Sequence, residues 1–171
     1  AILDMTSLKE QFGKINGLKI GIIGDIAHSR VARSNIYGLN KMGAEVMVCG
    51  PSTLVPYEIE SLGVKITHNL DEILDWADAI NVLRIQLERM DRGLFPSVRE
   101  YRNLFGITDE RLQKHNKEII IMHPGPMNRG VEIYSSVADG KSAIILDQVL
   151  NGVASRMAIL YLFLGGNQYE S

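Results

Sequence analysis

Short apolar runs alternate with stretches of helical periodicity along this chain. Five runs predict strands, at residues 18–23, 45–49, 64–67, 79–85 and 118–122. They are largely apolar rather than alternating, which is typical of parallel strands that are buried on both faces. Helical patterns lie between and around them, at residues 1–16, 29–42, 53–62, 70–77, 108–116 and 142–166. Strands that alternate with helices indicate βαβ crossovers and a parallel sheet.

The turn residues agree with these boundaries. Gly43 and Gly63 stand where a glycine commonly ends a helix. Asn69 and Glu72 have the spacing of a capping box. The predicted fold class is therefore α/β: a doubly wound, open parallel sheet of about five strands in a Rossmann-like three-layer sandwich, formed as a single domain by the whole chain. The charged, irregular stretch at 87–97 is long enough to predict a loop that either covers a site or is disordered.

Composition argues against several classes of partner. The 171 residues carry a formal net charge of -2, so we expect no nucleic-acid ligand, which needs a strongly basic face. The longest apolar run, 157–166, is far shorter than the ~20 residues that span a bilayer, so we expect no membrane association. Cys49 is the single cysteine and is expected to be a small buried residue. With no visible secretory signal, these features favour the cytoplasm.

Ligands of open α/β sheets sit at the carboxyl ends of the strands. That rule selects three segments, at residues 24–33, 84–92 and 123–129, which follow the first, fourth and fifth predicted strands. All three segments are rich in polar or turn-forming residues. Their agreement predicts a binding site at this edge of the sheet.

The first segment joins a strand to a helix through a glycine, but it lacks the G-x-G-x-x-G fingerprint of dinucleotide binding. Asp25 would also repel a pyrophosphate. Ser29 or His28 is expected to start the helix. Arg30 then lies in the first turn, where its charge opposes the positive end of the helix dipole, so an anionic ligand would explain it. A solvated surface arginine is the alternative, and Arg33 is a weaker candidate for the site.

The second segment places Arg84 and Gln86 two residues apart at the end of a buried strand, so that their side chains share one face. A guanidinium fork beside an amide suits a carboxylate, which the guanidinium binds in bidentate fashion. The alternative is an internal salt bridge of Arg84, for example with Glu88 or Asp25.

The third segment reads HPGPMNRG at residues 123–130. Pro124 and Pro126 flank Gly125, which removes amide donors and leaves exposed carbonyl groups. Such a turn suits an amine or ammonium group rather than an anion. His123 is a candidate catalytic acid, although a structural histidine is the commoner case. A stiff turn without a ligand remains the alternative for the whole segment.

Together these segments resemble the aspartate carbamoyltransferase family. The matching blocks are GDIAHSRVARSN at 24–35, LRIQLER at 83–89 and HPGPMNRGVEI at 123–133, in matching order and spacing. The resemblance covers almost the whole chain, but only the carboxyl-terminal, aspartate-binding half of the family's catalytic chain. The His-Pro-Thr-Gln element and the phosphate-binding Ser-Thr-Arg-Thr loop of the family are missing. The chain also starts without Met inside a helical pattern, which favours a cut in a longer polypeptide or terminal processing, and we expect it to be inactive alone.

The resemblance implies that the α-amine of L-aspartate attacks the carbonyl carbon of carbamoyl phosphate, a step of pyrimidine biosynthesis that uses no metal or organic cofactor. It implies that Arg30 and Arg84 hold the two carboxylates of aspartate, with help from Gln86. It further implies that the backbone carbonyls of Gly125 and Pro126 accept hydrogen bonds from the carbamoyl amine, and that the peptide bond between them is cis.

The resemblance also implies partners and a moving loop. Glu88 and Arg89 would form ion pairs when the two domains close, and residues 1–16 would form the helix that leads to the carbamoyl-phosphate-binding half. A homotrimer of catalytic chains is expected, with a regulatory chain or a dihydroorotase as a further partner. Two alternatives stay open: half of an ornithine carbamoyltransferase, whose substrate has only one carboxylate, and a non-catalytic interaction or regulatory domain.

Overall fold

Helices and strands alternate in the computed structural model, which describes residues 1–86, 97–115 and 117–165. The strands are β1 (Lys19–Ile23), β2 (Glu45–Cys49), β3 (Lys65–Thr67), β4 (Ala79–Val82) and β5 (Ile120–Met122). The α-helices are α1 (Ile2–Phe12), α2 (Arg30–Lys41), α3 (Leu70–Trp76), α4 (Val98–Phe105), α5 (Asp109–Gln113), α6 (Ser135–Ala138) and α7 (Ile145–Leu164). Two 3₁₀ helices connect β2 with β3, at Ser52–Leu54 and Tyr57–Leu62.

The five strands form one parallel sheet in the order β3-β2-β1-β4-β5. The chain runs outward from β1 to β3 and then returns to β4 on the other side of β1, so the winding direction changes between β1 and β4. Each face of the sheet is covered by an apolar cluster. One cluster joins Ile22 to Leu8 of α1 and Ile36 of α2, and the other joins Ile80 to Ile73 of α3. The predicted doubly wound α/β sheet is confirmed.

Prolines explain why the stretch 53–62 is not the predicted α-helix. It forms two 3₁₀ turns, and Pro51 and Pro56 each stand directly before one of them. A proline inside a continuous helix removes a backbone hydrogen bond and clashes with the preceding turn, so the two prolines divide this connection. Gly63 ends the second turn with a left-handed φ of 78°, as the sequence predicts.

Two terminal helices are shorter than their patterns predict. The first ends at Phe12 instead of residue 16, because Gly13 takes a left-handed φ of 76°. The last begins at Ile145 instead of residue 142, because the preceding residues run beside β5. There the Ile121 N–H donates to the Ser142 carbonyl at 2.8 Å, and the Ile144 N–H donates to the Ile121 carbonyl at 3.0 Å.

Two helices have no counterpart among the predictions. The predicted loop at 87–97 is followed directly by α4, whose N-cap Ser97 accepts a hydrogen bond from the Glu100 N–H; residues 87–96 lie outside the described residues. Helix α6 has only four residues, too few to give a periodic signal.

Helix α7 packs against α1 and β5 but exposes much of its apolar surface. Its buried residues are Ile145, Gln148 and Asn151, whereas Leu146 and Phe163 are each 83% exposed. Its other exposed apolar residues are Val149, Leu150, Val153, Met157, Ile159, Leu160, Tyr161, Leu162 and Leu164. A large exposed apolar surface marks an interaction site. Within the part of the chain that the structure describes, no helix has both the length and the apolar character to span a membrane.

Cys49 ends β2 as a fully buried residue, as predicted. Burial, and then the nearby charge of Glu72, raises the pKa of its thiol to about 12. Because the thiolate is the reactive form, we expect no labelling of Cys49 by a thiol-specific disulfide reagent in the folded protein at neutral pH. Unfolding in guanidinium chloride should give complete labelling, which serves as the control. Rapid labelling under native conditions would contradict the buried placement.

Candidate functional site

A cavity of about 190 Å³ opens at the carboxyl ends of β1, β4 and β5. All three segments selected from the sequence contribute to its walls. Its lining residues are Asp25, His28, Ser29, Val31, Leu83, Arg84, Gln86, Pro124, Gly125 and Pro126. The cavity therefore lies at the topological switch point of the sheet, where open α/β folds bind their ligands.

Asp25 shapes the loop after β1. Its buried carboxylate accepts hydrogen bonds from the His28 backbone N–H at 3.1 Å and from His28 Nδ1 at 2.9 Å. Ser29 is the N-cap of α2, and its Oγ accepts from the Ala32 N–H at 3.1 Å. These bonds fix the turn that forms one wall of the cavity, and they identify Ser29 as the residue that starts the helix.

Arg30, the first residue of α2, does not line this cavity. It lines a neighbouring cavity of about 420 Å³ between α1, α2 and α7, together with Arg156 of α7. The two cavities are adjacent, because Val31 lines both. Arg30 and Arg84 therefore line two adjoining cavities. Arg33 is exposed and lines neither cavity.

Arg84 and Gln86 both line the cavity, whereas Ile85 between them is fully buried. This alternation places the two polar side chains on one face, as expected for extended backbone. Among the described lining residues, Arg84 is the side chain with a permanent positive charge. The Ile85 carbonyl accepts a hydrogen bond from Asn128 Nδ2 at 2.7 Å, which ties the second segment to the third. The predicted closure-loop residues lie outside the described part of the chain: Glu88 and Arg89.

The Gly125–Pro126 peptide bond is cis, as predicted, and Gly125 has a φ of 58°. Both residues are exposed and line the cavity. A Cβ at position 125 would meet no atom within 4 Å. Glycine is therefore required there by the backbone conformation and not by lack of space.

His123 lies beneath this turn and outside the cavity lining. The His123 and Glu132 side chains have no solvent exposure, and His123 Nε2 lies 3.3 Å from Glu132 Oε1. His123 Nδ1 accepts the Gly125 N–H at 2.8 Å. Because Nδ1 is an acceptor, the ring proton lies on Nε2, where it is donated to Glu132. This placement favours the structural interpretation of His123 over the catalytic one.

The buried polar residues behind the cavity are absent from the sequence predictions. Gln148 Oε1 accepts the His123 N–H at 2.9 Å, and Gln148 Nε2 donates to Asp4 at 2.7 Å. Asp4 also accepts from Asn35 Nδ2 at 2.8 Å. Helices α1, α2 and α7 are thus joined to the end of β5. The pattern carries no signal for this network, because it puts Gln148 on the polar side of the predicted last helix, away from Leu150 and Val153, although this polar side faces the domain.

Tyr101 of α4 packs behind the same region. It is fully buried, and its ring lies 5.5 Å from the Phe105 ring, centroid to centroid. Burial, and then the negative charge of Glu132, raises the pKa of the Tyr101 hydroxyl well above its usual value. The hydroxyl therefore stays protonated at neutral pH and does not act as a base.

Fold and site together define the class: a doubly wound α/β domain with a small polar cavity at the switch point of its sheet. Residues 16–163 match the family described as "Aspartate/ornithine carbamoyltransferase, Asp/Orn binding domain". The chain belongs to the aspartate/ornithine carbamoyltransferase family and comprises its Asp/Orn-binding domain.

Curated relatives bear the name of one branch of this family. The aspartate carbamoyltransferase catalytic subunit of Halothermothrix orenii is 59% identical over 165 residues, which cover 96% of this chain and 53% of the relative. The catalytic subunit of Moorella thermoacetica is 60% identical over 166 residues, which cover 97% of this chain and 54% of the relative. The chain thus spans about half the length of the curated relatives it matches.

Solved structures agree with the fold. The catalytic subunit of M. jannaschii aspartate transcarbamoylase has a TM-score of 0.80 at 31% identity, covering 96% of this chain and 56% of that one. Aspartate transcarbamoylase from Trypanosoma cruzi in complex with N-(phosphonacetyl)-L-aspartic acid has a TM-score of 0.76 at 29% identity, covering 93% and 53%. An ornithine carbamoyltransferase from Pyrococcus furiosus, with a TM-score of 0.80 at 24% identity over 96% and 55% of the two chains, shares the fold.

Proposed function

We propose that this chain is the aspartate-binding half of an aspartate carbamoyltransferase. The reaction transfers the carbamoyl group of carbamoyl phosphate to the α-amine of L-aspartate, giving N-carbamoyl-L-aspartate and phosphate. The observation that carries the proposal is the single cavity in which Arg84 and Gln86 lie with the Gly125–Pro126 turn. Relatives between 55% and 60% identical, named for this activity, support it.

Two kinds of polar group line the cavity. Arg84 and Gln86 offer N–H donors to a carboxylate, while the turn at 124–126 offers carbonyl oxygens to an amine. Pro124 and Pro126 have no N–H, so the turn presents acceptors with few competing donors. A carboxylate and a carbamoyl amine therefore fit different parts of the same cavity. Catalysis by this half would consist of positioning, and the phosphate and the developing oxyanion would be bound by the other half of the enzyme.

Arg30 is proposed as the ligand of the second carboxylate. It is exposed and lies in the cavity next to the one that Arg84 lines. A rotamer change of this long side chain, past Val31, would bring its guanidinium toward the bound substrate. Substrate binding would then order Arg30.

The exposed apolar surface of α7 supports a further part of the proposal. We propose that the carbamoyl-phosphate-binding half packs there, because burial of side chains such as Leu150 and Leu160 would remove apolar area from water. The length of the relatives, about twice that of this chain, agrees with such a half. We also propose a homotrimer of catalytic chains, with a regulatory chain or a dihydroorotase as further partner, in the cytoplasm.

Calorimetric titration tests the function directly. The ligands are succinate and N-(phosphonacetyl)-L-aspartate, added to this chain alone and then to a mixture with the amino-terminal half of the Moorella thermoacetica relative. We expect tight binding of the phosphonacetyl compound only after the halves are combined, because the phosphonate ligands come from the added half. Tighter binding of the corresponding phosphonacetyl-ornithine would assign the chain to the ornithine branch. Lack of binding of all three ligands by combined, folded halves would overturn the proposal.

A further inference from the structure

A fully buried carboxylate lies behind the turn at 124–126. Glu132 Oε1 accepts the Asn128 N–H at 2.5 Å and lies 3.3 Å from His123 Nε2, while Oε2 accepts from Asn128 Nδ2 at 3.2 Å. The Glu132 side chain has no solvent exposure. Burying a carboxyl group is costly even when it is hydrogen-bonded, which points to a role beyond stability.

His123 links this carboxylate to the wall of the cavity. Its Nε2–H donates to Glu132, which leaves Nδ1 free of a proton to accept the Gly125 N–H at 2.8 Å. The Gly125 N–H shares one peptide plane with the carbonyl of Pro124, and in a trans peptide the two point in opposite directions. Holding the N–H against buried His123 therefore turns the Pro124 carbonyl away from the protein interior, on the side where Pro124 lines the cavity.

Asn128 links the same carboxylate to the cavity wall that follows β4. Its Nδ2 donates both to Glu132 Oε2 and to the carbonyl of Ile85 at 2.7 Å. Ile85 is the buried residue between Arg84 and Gln86, so its carbonyl belongs to the strand end that presents both side chains. The Glu132 carboxylate thus fixes the position of the turn at 124–126 relative to the strand end that presents Arg84 and Gln86.

We propose that Glu132, acting through His123 and Asn128, is a positioning residue that sets the distance and orientation between the two walls of the cavity. The inference rests on the proposed function and extends it to three side chains that do not line the cavity. The Glu132 side chain suits this task because both of its oxygens act as acceptors in this network. It therefore orients the His123 ring with Nε2–H toward itself and leaves Nδ1 as the acceptor for Gly125.

Two substitutions of His123 separate its two hydrogen bonds. In His123→Asn the amide occupies the place of Nδ1 and can still accept the Gly125 N–H, whereas in His123→Gln it reaches the place of Nε2 and keeps only the contact with Glu132. We expect His123→Gln to lower kcat by about ten- to a hundredfold, since misplacement of a reacting group by about 1 Å has effects of this size. The KM for aspartate should change little, because Arg84 is untouched. His123→Asn should retain a clearly higher kcat than His123→Gln.

The measurement is steady-state kinetics of the complete enzyme, formed by this domain with its carbamoyl-phosphate-binding half. Asp139→Asn is the matched control: it breaks the exposed Arg129–Asp139 ion pair at 2.8 Å on the same side of the domain, outside the network. Its kcat should stay within about twofold of the parent. Glu132→Gln, similar in size, is the second variant, and it should lower kcat as His123→Gln does.

The outcomes separate this inference from the proposed function. A parent enzyme that carbamoylates aspartate, with the expected order of the two His123 variants at similar melting temperatures, would support the positioning role. Equal kcat values for His123→Asn and His123→Gln, or values for Glu132→Gln and His123→Gln at the level of Asp139→Asn, would overturn it and leave the proposed function intact. A folded parent enzyme without activity toward aspartate would overturn both.

Discussion

Replacing Arg84 with alanine is expected to lower kcat/KM for aspartate by about a hundred- to a thousandfold in the complete enzyme. A guanidinium can bind a carboxylate through two parallel hydrogen bonds, and a hydrogen bond to a charged group contributes about 1.5–3 kcal/mol. Two such bonds, each at the lower end of that range, contribute about 3–4 kcal/mol. This free energy corresponds to the expected hundred- to thousandfold decrease in kcat/KM. The measurement is steady-state kinetics with aspartate varied at saturating carbamoyl phosphate.

Two further variants show whether the loss reflects the guanidinium fork. Arg84→Lys keeps the charge but cannot form the bidentate pair, so its kcat/KM should lie between those of the parent and Arg84→Ala. Arg33→Ala removes an exposed arginine that lines neither cavity, and it should change kcat/KM by less than about twofold. A normal KM for aspartate in Arg84→Ala would remove Arg84 from the site.

A second measurement distinguishes direct recognition from indirect damage. Succinamate is succinate with one carboxylate replaced by a neutral amide, so a site that recognises both carboxylates prefers succinate. If Arg84 contacts one of them, Arg84→Ala should bind the two ligands with more similar affinities than the parent does. An unchanged preference, together with a large loss of activity, would place the effect of Arg84 on the fold instead of on the ligand.

The sheet and the position of the site could be predicted because both depend on local patterns. Largely apolar runs such as Glu45–Cys49 predict buried parallel strands, and parallel strands bring their carboxyl ends to one edge. Arg84 and Gln86 follow from the same reasoning, since residues two apart on extended backbone share a face whatever the rest of the fold does. Ser29 as the start of α2 likewise depends on a local hydrogen bond.

The features that could not be predicted depend on contacts between distant parts of the chain. Arg30 is predicted at the site from its position in the first turn of α2, whereas the cavity that it lines is formed together with residues of α1 and α7. Glu132 and His123 are nine residues apart, and only the path of the turn between them makes them a buried pair. The prolines before the 3₁₀ turns were a local signal that the helix prediction did not use.

Replacing Asp4 with alanine is expected to lower the free energy of unfolding by about 2–4 kcal/mol. Asp4 is 3% exposed and accepts hydrogen bonds from Asn35 Nδ2 at 2.8 Å and Gln148 Nε2 at 2.7 Å, and these two partners are 1% and 2% exposed. Alanine leaves both amide groups without this acceptor, and each unsatisfied buried donor costs about 1–3 kcal/mol. Guanidinium chloride unfolding of the isolated chain, followed by circular dichroism, measures the change.

The size of the effect in two other variants shows whether it arises from the buried network. Asp4→Asn keeps one carbonyl acceptor but turns an amide toward the other donor, so it should lose roughly half as much as Asp4→Ala. Thr6→Ala removes an exposed side-chain hydrogen bond to the Ile2 carbonyl in the same helix, and it should cost less than about 0.5 kcal/mol.

Equal, small losses in all three variants would mean that α1 contributes little to the fold. A large loss specific to Asp4 would show that α1 is held to α2 and α7 through this carboxylate. Because Gln148 also accepts the His123 N–H, the same carboxylate would then stabilise the end of β5, from which the turn at 124–126 emerges.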